Sequence, residues 1–181
     1  MLGKLVSLVP ILFLLLAFTA IYIAFETDKN SSETQKKSLL ISSACLLIVT
    51  ASWAFNFGMI RFTMLFVTLI ITCVFVVTNY ISAGCFEHSR RIKVLNLLFV
   101  LTYLFANLLY PDTDFVRSYA FFALINKYEI ITVLEKFAEA MALAHIALFV
   151  WQVVEICVLK SSLKKKAKMA VDEEKFKMEL Q

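Results

Sequence analysis

The chain has 181 residues, 61% of them hydrophobic and 18% charged, against about 45–50% and about 25% in soluble domains. A soluble fold of this length also needs a wettable exterior, so a bilayer is the solvent that fits the composition. The formal net charge is +4, but the basic residues stand beside apolar blocks, with no aromatic-interleaved groove; this excludes direct nucleic-acid binding and suits anionic lipid headgroups.

The first apolar block, 5–25, exceeds the ~7–15 residues of a signal-peptide core and approaches the ~20 that span a membrane, so we expect a transmembrane anchor. Four further blocks of spanning character follow at 38–57, 62–81, 94–110 and 140–159. None alternates strictly enough for a barrel strand, and lipid does not satisfy the open edges of a sheet. The expected fold is an all-α membrane protein: a polytopic bundle of about five transmembrane helices over 1–159, four to six fitting the same pattern, with a short helical cytoplasmic tail over 160–181.

The connections are short. Residues 26–37 form a polar loop, ETDKNSSETQKK, and 58–61 a tight turn that makes the second and third spans an antiparallel hairpin. The loop 82–93 carries Glu87, His88, Arg90, Arg91 and Lys93. Residues 111–127 open on PDTD, a turn and helix-cap signature, and continue through aromatic residues that either lie in the interface or begin a long final helix. Asn30-Ser31-Ser32 fits a glycosylation sequon, a pattern short enough to arise by chance. Basic residues at span ends set orientation. With the C-terminus in the cytoplasm, thirteen fall inside (Lys29, Lys36, Lys37, Arg90, Arg91, Lys93 and seven tail lysines) and Lys4, Arg61, Arg117 and Lys127 fall outside. The N-terminus is then outside, in what we expect to be a bacterial inner membrane.

The last span is the most polar. Ionisable groups at membrane depth are expensive and face protein or water. At 100° per residue, Gln152 lies about 20° from His145 on the helix wheel and Glu155 about 80° away, so these three are placed on one buried face. Glu135 and Glu139, one turn apart, sit near the outer interface on another side. Two functions compete for the His145, Gln152 and Glu155 face: a polar contact fixing helix packing or oligomer register, and a proton or ion relay. Asn56, Asn79, Asn96 and Asn107 in the other spans are expected to hydrogen-bond between helices.

Several chemistries lack their residues. Three Gly and two Pro, none in mid-span, and no GxxxG pair disfavour the broken helices of a rocking transporter. His88 and His145 are the only histidines, one in a loop and one in a span, which gives no metal or haem site. Cys85 and His88 share a loop with nothing to orient the His as a base, and Cys45, Cys73 and Cys157 sit in apolar blocks as small hydrophobes. No GxSxG, HExxH or phosphate-cradling glycine loop is present. We expect no catalytic residues, no metal and no cofactor.

The tail begins as an inner-leaflet basic cluster, Lys160, Lys164, Lys165, Lys166 and Lys168, each worth about 1 kcal/mol toward an anionic surface. Phe176, Met178 and Leu180 then offer apolar points for docking a soluble partner. We therefore expect a small non-enzymatic sensor or anchor, homo-oligomeric, seated in a bilayer with an anionic inner leaflet and coupled to a cytoplasmic protein. An ion or proton channel lined by the last helix and an accessory subunit of a larger complex are the alternatives. The layout is similar to that of small bacterial membrane sensors of phage-defence or immunity systems, a likeness of architecture without a shared motif.

Overall fold

The computed structural model describes residues 31–55, 59–113, 118–121 and 124–179, together with 19, 22, 23 and 26. The described elements are α1 (Glu33–Phe55), α2 (Met59–Thr63), α3 (Leu65–Ala83), α4 (Arg90–Leu109), β1 (Asp112–Thr113), β2 (Ser118–Tyr119) and α5 (Tyr128–Glu179). Four helices among the described residues are long and apolar enough to cross a bilayer, over Glu33–Trp53, Phe66–Ala83, Arg90–Leu109 and within Tyr128–Glu173. The expected first span, 5–25, lies outside the described residues, except that Thr19, Tyr22 and Ile23 are helical and Tyr22 packs against the core.

Each boundary has a local cause. α1 opens on a capping box: the Gln35 amide N–H donates to the Ser32 hydroxyl at 3.3 Å, and the Ser32 N–H donates back to Gln35 Oε1 at 2.9 Å. α3 ends at Gly84, where an added Cβ would come within 3.0 Å of the Gln35 side chain. α4 starts at Ser89, whose hydroxyl accepts from the Ile92 N–H. It stops at Tyr110, held extended (φ −61°, ψ 120°) as the residue before Pro111 must be.

The expected loops 26–37 and 82–93 are shorter than read, since α1 begins at Glu33 and α4 at Arg90, and two further connections differ in kind. The tight turn at 58–61 is instead a short helix, α2, for its described part. The segment after Pro111 neither caps nor begins the last helix. It forms a two-residue antiparallel ribbon, Asp112 opposite Tyr119 and Thr113 opposite Ser118, followed by a turn closed by two backbone bonds between Ala120 and Ile125. The last helix starts only at Tyr128, well before the apolar block at 140–159.

α1, α3 and α4 share one core: Leu39, Leu46, Val49 and Trp53 meet Phe75 and Val76 of α3, and Phe99, Val100 and Tyr103 of α4. Phe75 stacks on Tyr103 with centroids 3.9 Å apart. α5 packs chiefly along α4, only its edge touching α3, and its half-buried Leu148 and Phe149 join the core. The opposite faces carry exposed apolar side chains such as Leu40, Leu47, Phe66, Ile70, Leu97 and Val150. Solvent water would make that surface an aggregation hazard, and lipid makes it ordinary. Within lipid, association rests on close packing and interhelical hydrogen bonds rather than on the hydrophobic effect.

Candidate functional site

α5 reaches the bundle through one stripe. Four of its buried residues, Ile131, Ala138, His145 and Gln152, recur every seven positions, and Ile156 follows one turn further on; the seven-residue spacing drifts about 20° per repeat and favours a shallow left-handed crossing. The two polar members carry the specific contacts.

His145 stacks on Phe99 of α4, ring centroids 4.1 Å apart and planes 11° from parallel. Its Nδ1 lies 3.2 Å from the Phe99 carbonyl oxygen and 3.2 Å from Thr102 Oγ1. A carbonyl only accepts, so Nδ1 carries the proton in this contact. One helical turn pair further along, Gln152 is fully buried. Its Nε2 donates to Ser82 Oγ of α3 at 2.6 Å and to Asn96 Oδ1 of α4 at 2.8 Å. The Ser82 hydroxyl in turn donates a hydrogen bond to the Thr78 carbonyl. One amide nitrogen thus ties three helices together. Gln152 Oε1 and the neighbouring Asn79 Oδ1 are buried and lack a hydrogen-bond donor among the described residues.

Glu155 does not join this face. It is half-buried and accepts from Trp151 Nε1 at 3.3 Å, one turn back on its own helix. Its offset of about 80° from His145 carries it to the edge of the buried stripe, on the side away from Ile156. Glu135 is half-buried and Glu139 exposed, both close enough to Tyr110 at the end of α4 to act on it electrostatically. Lys160, Lys164, Lys165, Lys166 and Lys168 are exposed along α5, as is Met178. The Phe176 side chain and Leu180 lie outside the described residues.

A second polar centre escaped the sequence. Arg61 and Asp112 are both almost wholly buried at the opposite end of the bundle from the tail. The Asp112 carboxylate accepts the backbone N–H groups of Ile60 (3.1 Å) and Arg61 (3.2 Å), the open N-terminal end of α2, and lies 3.7 Å from Arg61 Nε. Arg61 Nη2 donates to the Tyr110 carbonyl at 2.8 Å and the Asn107 carbonyl at 3.3 Å, covering the C-terminal end of α4. Its guanidinium sits 5.5 Å from the Trp53 ring centroid. Each charge meets the helix end whose partial charge attracts it. Both residues read as loop charges in one dimension. The available signal was that they are the nearest opposite charges at the facing ends of neighbouring spans.

Beside this centre, α3, α4 and α5, together with Trp53 of α1 and Arg61 of α2, line a half-open, mostly apolar cavity of about 380 Å³ that Ile71, Tyr103, His145 and Phe149 also face. Among the described residues no three His, Cys, Asp or Glu side chains group as metal ligands, and the four thiols are free. No known protein family, curated protein or solved structure matches the chain.

Proposed function

We propose that this chain is a non-enzymatic membrane sensor or anchor in which α5 couples the bundle to a cytoplasmic partner. The observation that carries it is the continuity of α5 from Tyr128 to Glu179. Its last twenty residues, from Lys160, extend about 30 Å beyond the apolar block at 1.5 Å per residue. A continuous helix transmits a tilt or rotation along its length, and a flexible linker does not. Within the bundle α5 is fixed at two polar points, His145 and Gln152, where interhelical contacts are worth roughly 0.6–1.7 kcal/mol each. Polar contacts of that size can be exchanged by a stimulus that favours a second placement of α5 along α4. The cavity beside His145 is where an apolar stimulus has room to act. The basic cluster holds the exit of α5 at an anionic leaflet, with the C-terminus in the cytoplasm of a bacterial inner membrane.

A photoreactive side chain at Met178 should form one recurrent protein adduct in cells, and Gln152→Leu, remote from it, should change the yield. Adducts to lipid alone, or a yield indifferent to Gln152→Leu, leave α5 a passive anchor and reject coupling.

The exposure of α5 favours self-association as part of the same function. Only 17% of its spanning window is buried, against 39–44% in the other three helices, so α5 stands at the edge with a wide apolar face for a second copy. A monomeric mass in mild detergent and in nanodiscs would remove the oligomer from this proposal.

A further inference from the structure

The end of the bundle nearest the tail holds a recess of about 340 Å³ between the start of α1, the end of α3 and the start of α4. Asn79 and Asn96 line it, the apolar wall includes Phe86, and Lys37, Lys93 and Glu87 are charged residues of its lining. Asn79 is 1% exposed. Its Nδ2 donates to the Phe75 carbonyl of its own helix at 3.0 Å, while its Oδ1 is buried without a donor among the described residues. An unmet acceptor of this kind is costly unless something supplies a donor. Lys37 is exposed and shares its charge with Glu33 at 2.7 Å, one turn earlier, a surface pair weak enough to exchange for another anion. Ile41, also in the lining, is 55% exposed on the outer side of α1. In the proposed membrane placement the recess opens at the depth where headgroup meets acyl chain, on the same surface as the basic tail cluster.

We propose that this recess binds an anionic phospholipid whose headgroup bears a free hydroxyl, the chemistry of phosphatidylglycerol. The phosphodiester sits between Lys37 and Lys93, and the glycerol hydroxyl donates to Asn79 Oδ1. The acyl chains leave past Ile41 into the bilayer. Glu87 disfavours doubly charged headgroups and leaves room for a single negative charge. The site stands on membrane insertion alone and is independent of what α5 recruits.

Native mass spectrometry of the full chain in neutral detergent, titrated with three lipids, tests it. Phosphatidylglycerol should bind one per chain, on the order of tenfold more tightly than phosphatidylmethanol, which keeps the charge but lacks the hydroxyls, since an unmet buried acceptor is what the hydroxyl relieves. Phosphatidylcholine should bind more weakly than both. Asn79→Leu should bind phosphatidylglycerol and phosphatidylmethanol equally, and Lys93→Gln should weaken both by a similar factor. The wild-type lipid comparison needs no variant and stands even where one fails to fold. Equal binding of phosphatidylglycerol and phosphatidylmethanol by the wild type overturns the proposal. So does discrimination retained in Asn79→Leu, or displacement of the lipid by free glycerol phosphate at equal concentration, which would make the ligand a soluble phosphoester.

Discussion

Gln152 uses both amide hydrogens to hold α3 and α4, through Ser82 and Asn96. A double-mutant cycle of Gln152→Leu with Asn96→Leu, read by denaturation in mixed micelles, should return a coupling of about 0.6–1.7 kcal/mol, the range of interhelical contacts in lipid. A coupling near zero would mean the node sets geometry without stabilising it. Arg61 is a stronger case, because Asp112 is fully buried. Arg61→Leu should destabilise by about 3–5 kcal/mol, and Arg61→Leu with Asp112→Leu by less than the two single losses together, since the pair then vanishes with no charge stranded. Cys85, in the turn after α3, tests burial by pH. Desolvation, partly offset by Lys160, holds its thiol above the ordinary value near 9. The folded state therefore keeps the proton longer than the unfolded chain, so this thiol withdraws stability as pH rises through and above 9. Alkylation by iodoacetamide should be slower than for a free thiol at pH 8 and still accelerating beyond pH 9, and Cys85→Ala should flatten the alkaline loss of stability.

At the scale of one element, α5 is divided between a narrow buried stripe and a broad exposed face. Ala138, fully buried in that stripe, leaves no room for a larger side chain. Ala138→Leu should cost about 1–3 kcal/mol through overpacking, whereas Ala140→Leu, on the exposed side, should fall within ~0.5 kcal/mol of the parent. Thermal melts of the two variants side by side check the stripe. Glu155 separates packing from conduction. It is bound within its own helix by Trp151, so Glu155→Leu should change stability little, and proteoliposomes of the parent and of the variant alike should show no ion flux. A pH-dependent proton current that Glu155→Leu abolishes would promote the channel over the sensor. The same element shows why the long helix was only partly legible: the seven-residue recurrence from Ile131 to Gln152 is present in the sequence, but the two apolar members are common residues that only a packed partner singles out.

For the whole molecule, the fold brings the start of α1, the turn after α3 and the tail half of α5 to one end. Ser31 bonds to Tyr80 near the end of α3 at 2.9 Å, and Ser89 caps α4 beside it. In a cysteine-free background, cysteines at Ser31, Ser89 and Lys168 should therefore share one accessibility, reacting with a membrane-impermeant maleimide only after cells are opened. Labelling of all three in intact cells would invert the orientation drawn from the basic residues, and labelling of one alone would contradict the bundle.

Helical class and the positions of three long apolar helices are legible from residue order, because a segment built to cross a bilayer has its length and polarity fixed by that solvent. The expected spans at 38–57, 62–81 and 94–110 fall within a few residues of α1, α3 and α4 for that reason. His145 and Gln152 were also visible as a pair, since helical periodicity alone sets their 20° offset. Their partners were not. Thr102, Ser82 and Asn96 are ordinary polar residues on other helices, and which of them meets α5 depends on crossing angle and register. The buried Arg61–Asp112 pair and the recess over Asn79 likewise exist only because segments far apart in sequence close on one another. One-dimensional pattern reports how a segment meets its solvent, whereas contacts between segments are decided by packing in three dimensions.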